Sequence, residues 1–134
     1  MKRTISLVLL ALLPLSGVQG DSLLENSITF KNGWKYSPWL GCYYPLSENW
    51  LYHLDHEWLW LDGDDETSVW IWNGELGWIW TGRDLYPILY MASDQAWFTY
   101  TPGSSNPRLF YDGESSTWET VRSIQWKRRI SQFP

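Results

Sequence analysis

Two stretches of this chain gather side chains that do chemistry at short spacing. His53-Leu54-Asp55-His56-Glu57 brings two imidazoles and two carboxylates together, and those are donor types that a zinc or similar ion takes. The spacing matches no recognised ligand pattern on a tight turn, so the default for such a segment is a solvated polar turn. Asp62-Gly63-Asp64-Asp65-Glu66 offers carboxylate oxygens enough for calcium, but it lacks the spacing of a twelve-residue calcium loop. The corresponding turn around Gly82-Arg83-Asp84 is not acidic. Glu57 and Glu75 adjoin Trp-x-Trp runs, and paired carboxylates are the machinery of glycoside hydrolysis. That chemistry needs one acid raised in an apolar setting, whereas water at a turn keeps both ordinary. There is no Gly-x-Ser-x-Gly, no catalytic Cys/His arrangement and no phosphate loop, so the expectation is a protein that is not an enzyme and takes no metal or cofactor.

The strongest functional signal is aromatic. The chain holds 12 Trp, 8 Tyr and 4 Phe, and flat rings bind the apolar faces of sugars or quaternary ammonium groups through their π systems. Trp50, Trp58, Trp60, Trp70, Trp72, Trp78 and Trp80 are the candidate ligand-binding residues, acting as stacking surfaces. The competing reading is that these rings pack on one another as core.

The rings are placed periodically. Phe30, Trp50, Trp70, Tyr90 and Phe110 form one column at twenty-residue intervals, and Trp58, Trp78, Phe98 and Trp118 form another. With aromatics at 18% of the chain, a column of five arises by chance on the order of once in several thousand tries. This is an internal repeat.

The elements that carry the rings read as short strands. Asn49–Leu54, Glu57–Asp62, Ser68–Asn73, Gly77–Thr81, Pro87–Met91, Ala96–Thr101 and Arg108–Asp112 are rich in aromatic and β-branched residues and bounded by Asp, Gly, Asn, Pro or Ser. Gly33 to Gly41 reads as an edge strand and a turn. The connections are too short for crossover helices, so neighbouring strands run antiparallel and each repeat is one hairpin. Alternation puts Trp50/Tyr52, Trp58/Trp60, Trp70/Trp72, Trp78/Trp80 and Phe98/Tyr100 on one face. Leu51, Leu59, Leu61, Val69, Ile71, Ile79, Leu89, Met91 and Leu109 share the other, which is the better tight interior. The expected fold is an all-β antiparallel meander of about seven to nine short strands built from hairpin repeats, closed as a small barrel or stacked as a solenoid.

Lys2 and Arg3 before the apolar run Ile5 to Leu15, with Val18-Gln19-Gly20 after it, read as a secretory signal peptide over residues 1–20. Residues 21–118 are then the aromatic β domain, and 119–134 a tail with the makings of a short helix, Ser116-Thr117-Trp118-Glu119 having the form of a capping box. The expected location is secreted, periplasmic or cell-surface, with no transmembrane segment in the mature chain. Without Lys2 and Arg3, 8 basic residues face 15 acidic ones, which disfavours nucleic acid or an anionic membrane as the main partner. The lone Cys42 cannot make an internal disulfide, and its apolar neighbours favour burial.

Leu76-Gly77-Trp78-Ile79-Trp80-Thr81, Tyr86-Pro87-Ile88-Leu89-Tyr90, Trp97-Phe98-Thr99-Tyr100 and Pro107-Arg108-Leu109-Phe110-Tyr111, preceded by Gly33-Trp34-Lys35-Tyr36-Ser37-Pro38-Trp39-Leu40-Gly41, resemble a tryptophan-rich repeat module of exported bacterial proteins. The resemblance spans roughly residues 33 to 118 and implies an exported, non-catalytic repeat. The aromatic hairpins resemble more loosely the choline-binding and glucan-binding repeats of cell-wall proteins, although Gly precedes Trp only at Gly33 and Gly77. Together these readings give a binding or scaffolding module for a glycan or envelope polymer. The alternatives are a structural protein-interaction repeat with its aromatics buried and, further off, a glycan hydrolase.

Overall fold

Alternating bulky and branched residues broken every few positions by turn formers give a chain of hairpins. In the computed structural model, which describes residues 23–133, these hairpins join into one antiparallel sheet. Its strands are β1 (Ile28–Thr29), β2 (Lys35–Ser37), β3 (Gly41–Pro45), β4 (Trp50–His53), β5 (Glu57–Asp65) and β6 (Ser68–Asn73), followed by β7 (Gly77–Thr81), β8 (Ile88–Met91), β9 (Ala96–Tyr100), β10 (Leu109–Asp112) and β11 (Thr117–Thr120). Each strand pairs only with its neighbours in sequence, so the sheet is an open meander. The expected signal segment lies outside the described residues.

Two expectations change here. Among the described residues the strands number eleven, because residues 33–45 yield β2 and β3 and the ends add β1 and β11. Nor does the sheet close as a barrel: β1 is only two residues long and β11 runs directly into a helix, so the two edges never pair. The helix, α1 (Val121–Ile130), is capped by Thr120, which accepts from the Ser123 backbone N–H while the Ser123 hydroxyl accepts from that of Thr120. The capping box therefore sits four residues later than Ser116-Thr117-Trp118-Glu119 suggested, since those residues belong to the final hairpin.

The inner face of the sheet is the core. Leu51, Leu59, Leu61, Val69 and Ile71 pack with Leu23, Leu24, Leu40 and Tyr43 in one cluster. Leu76, Ile79, Leu89, Met91, Phe98, Tyr100, Phe110 and Ile124 of α1 form a second, and Tyr86 touches both. Cys42 is a free thiol, half-buried opposite Tyr36 on the outer face.

The assignment of faces holds through β8 and then inverts. Phe98, Tyr100 and Phe110 are buried, while Leu109 is exposed and Trp97 and Tyr111 lie outside. The cause is one residue of turn length. Gly74 to Leu76 separate the paired residues Asn73 and Gly77, but Ala92 to Gln95 separate Met91 from Ala96. With a side-chain period of two, one added residue moves every following side chain to the opposite face. The β10–β11 turn, between paired Asp112 and Thr117, reverses it again and returns Trp118 to the outside.

The hairpin turns share a chemical device. At Ser37, His53, Asn73 and Asp112 a side-chain acceptor takes backbone N–H groups from the residues two and three further on. The fifth residue of each turn (Gly41, Glu57, Gly77, Ser116) has positive φ. This anchors the turn's orphan donors while the left-handed residue reverses the chain.

Candidate functional site

The outer face is paved with rings by cross-strand pairing. Trp50, Trp60, Trp72 and Trp78 stand opposite one another across β4 to β7. Trp70, Trp80, Tyr90 and Trp97 do the same across β6 to β9. Tyr52 faces Trp58, and Tyr111 faces Trp118. The contacts are edge-to-face: Trp50–Trp60 centroids lie 5.2 Å apart at 75°, Trp50–Trp72 6.1 Å at 86°, and Trp70–Trp78 6.4 Å at 82°. Each such pair contributes about 0.5–1.5 kcal/mol beyond its area burial.

Not one of the twelve tryptophans is fully buried. Trp58, Trp70, Trp72 and Trp78 are 52, 38, 37 and 40% exposed, while Trp50, Trp60 and Trp80 are half-buried supports between them. Trp80 is further held by its indole N–H, which donates to the Ser68 hydroxyl at 2.9 Å. Two adjoining shallow depressions result. One, of about 430 Å³, is lined by Leu46, Ser47, Trp50, Trp58, Trp72 and Gly74; the other, of about 390 Å³, by Trp50, Trp60, Trp72 and Trp78. The sequence-stated rings are thus brought together. Trp97, exposed and 5.9 Å from Trp80, belongs to the same surface and was missed because Phe98 occupied its place in the twenty-residue column.

The turn at His53 to Glu57 is only partly solvated: Leu54 and Glu57 are exposed, but both histidines are buried, which overturns the solvated reading for them. His53 and His56 are buried at the seam between the two core clusters, ring centroids 4.8 Å apart. The His53 Nδ1 accepts from the Asp55 and His56 backbone N–H groups, so its Nε2–H donates to the Leu40 carbonyl at 2.8 Å. Arg108 donates to the His56 Nδ1 at 2.9 Å, leaving the Nε2–H of His56 for the Tyr86 hydroxyl at 3.0 Å. All four ring nitrogens are therefore occupied by protein groups, and among the described residues no three His, Cys, Asp or Glu side chains converge as a metal site. Burial holds His56 well below the usual histidine range, with His53 and Arg108 lowering it further. Burial also lowers His53, against the opposing Leu40 hydrogen bond and Asp55 charge. Burial likewise pushes the Tyr100 phenol up to about 12.

Glu57 and Glu75 line a polar groove of about 920 Å³ with Asp55, Asn106, Arg108 and Arg122. Both are exposed, and Glu75 is paired with Arg108 at 2.7 Å. In the acidic stretch Asp62 to Asp65 continue β5 through an irregularity in register at Gly63, and Glu66 turns inward to Arg83 at 2.8 Å. Asp65 is held below the usual carboxylate range by hydrogen bonds from Thr67. No described helix is long and apolar enough to cross a membrane. No protein-family model, curated protein or solved structure matches this chain.

Proposed function

We propose that this chain is an exported, non-catalytic binding module whose outer aromatic face stacks on the rings of a glycan or similar envelope polymer. The observation that carries the reading is that the core is filled without fully burying any tryptophan, Trp39 alone packing partly against it, while Trp58, Trp70, Trp72, Trp78, Trp97 and Trp118 are left between 37 and 62% exposed. An apolar surface of that kind on a charged, acidic protein marks an interaction site. The indole ladder fixes each ring before a ligand arrives, which lowers the ordering cost of binding. The common turn device and the Trp-x-Trp runs support reading the hairpins as units of one twenty-residue repeat, in keeping with the tryptophan-rich exported module.

The runner-up is a scaffold that covers the same rings with another protein; the chain itself does not bury them. A hydrolase has less support, because Glu75 is committed to Arg108 and neither Glu57 nor Glu75 is enclosed. The test is calorimetric titration with envelope polysaccharides, comparing the parent with Trp58→Ala/Trp72→Ala. Saturable binding weakened at least about ten-fold in the variant supports the reading, since each lost stack is worth roughly 1–3 kcal/mol by analogy with base stacking on aromatic side chains. Equal affinity in parent and variant sinks it. Turnover that vanishes in Glu57→Gln or Glu75→Gln would establish the hydrolase instead.

A further inference from the structure

The chain is acidic, and its charge is segregated. Helix α1 carries Arg122, Lys127, Arg128 and Arg129 without one acidic residue, and all 15 Asp and Glu of the chain precede it. One side of the helix is committed to the fold. Ile124 is in the core, Arg128 pairs with Asp94 at 2.7 Å, Lys127 pairs with Glu119, and the Gln125 amide donates to the Glu75 carbonyl at 3.0 Å.

The opposite side is open and of one character. Arg122, Trp126, Arg129 and Ile130 are spaced by three or four residues and so share a helix face. Phe133 follows directly. Trp126, Ile130 and Phe133 are 57, 47 and 73% exposed, and the Arg129 guanidinium lies 5.7 Å from the centre of the Trp126 ring. Among the described residues neither Arg122 nor Arg129 has a carboxylate partner.

We propose that this side of α1 docks on an anionic lipid bilayer. Unpaired guanidinium groups beside tryptophan and aliphatic side chains, on the outer face of a helix lying along a folded body, match the headgroup layer: cations meet phosphates while the rings enter the acyl boundary. A soluble polyanion would engage the two arginines but gain little from Ile130 and Phe133. Arg122 borders the groove that Asp55, Glu57 and Glu75 also line, so docking is led by Arg129 with Trp126, Ile130 and Phe133; acidic charges of the sheet that lie beyond about 10 Å are screened at 0.1 M salt. The proposal is independent of the aromatic sheet face.

The experiment is co-sedimentation of the full chain with phosphatidylcholine vesicles containing about one-third phosphatidylglycerol, against pure phosphatidylcholine vesicles and soluble dextran sulfate. The apolar run Ile5 to Leu15 is common to all variants, so differences between them report α1. Each cation at the surface is worth about five-fold, so Arg122→Gln/Arg129→Gln should weaken binding to the anionic vesicles roughly thirty-fold. Trp126→Ala/Phe133→Ala, and separately Ile130→Asn, should weaken it at least several-fold. All these side chains are exposed, so thermal unfolding should stay at the parent's midpoint. If the variants sediment with anionic vesicles like the parent, the proposal fails. It also fails if dextran sulfate binds as tightly as the vesicles and the apolar variants lose nothing, because the face would then serve a polymer.

Discussion

The two histidines give the fold a pH dependence that can be worked out from their hydrogen bonds. Each Nδ1 is already an acceptor, of two backbone N–H groups at His53 and of the Arg108 guanidinium at His56. A proton added there would set donor against donor, in addition to the cost of charging a buried ring. The folded state therefore holds both rings neutral, whereas the unfolded chain takes up protons near the usual value of about 6.5. A histidine whose folded pKa is lowered contributes stability that is complete above that unfolded value and is lost as pH falls below it. From pH 7.5 to 5.5 the two together should cost between about 1 and 3 kcal/mol, at up to about 1.4 kcal/mol per histidine for the unit below 6.5. At a urea slope of about 1–2 kcal/mol per molar, the midpoint should fall by roughly 1 M. Glu119 does not blur this window. Burial alone would raise its carboxyl, but hydrogen bonds from Lys127, Thr117 and Ser123 bring it below the usual range, so its contribution is lost only at more acid pH. Urea melts at the two pH values, with the imidazole proton resonances followed by NMR, make the measurement. Coincident midpoints, or a His56 resonance titrating near 6.5, would refute the buried neutral pair.

Three other substitutions probe the same architecture. Arg108→Met leaves the His56 Nδ1 without its donor and should cost about 2–3 kcal/mol, discounted because Glu75 is exposed; the double variant His56→Leu/Arg108→Met should recover most of that by chemical denaturation, since Leu40 and Leu76 fill the corresponding turn positions. Phe110→Ala should cost about 3–5 kcal/mol and Trp118→Ala less than about 1, although both sit in the aromatic columns, because only Phe110 faces inward; equal costs would contradict the inverted register. Gly77→Ala, at φ +81°, should destabilise by about 1–2 kcal/mol, while Glu57→Gly, at φ 64°, should stabilise by up to about 1 in the same melts.

Much of the sheet was legible because its determinants are local. Period-two alternation and turn dipeptides placed seven of the strands to within a residue or two, except where β5 runs on to Asp65, and they identified Leu51 to Met91 as the inner face. The ring-bearing residues were legible for the same reason. What escaped was everything set by counting across a turn or by contact between distant turns. One additional residue in the β8–β9 connection exchanged Phe98 for Trp97 on the outer surface, a change invisible to a column drawn at fixed period. His53-Leu54-Asp55-His56 looked like a wet turn because three of its four side chains are polar, and the groups that bury the imidazoles come from distant turns.

The amino-acid sequence by itself determined antiparallel pairing, which residues alternate together, and that aromatic and aliphatic side chains separate onto two faces through β8. Only the tertiary structure decided that the aromatic face stays partly exposed and is not a second packed layer, and that Arg108 and Tyr86 reach His56 from 52 and 30 residues away. Alternation is a property of neighbouring dihedral angles, whereas exposure and burial depend on how the whole sheet curls and what it curls around.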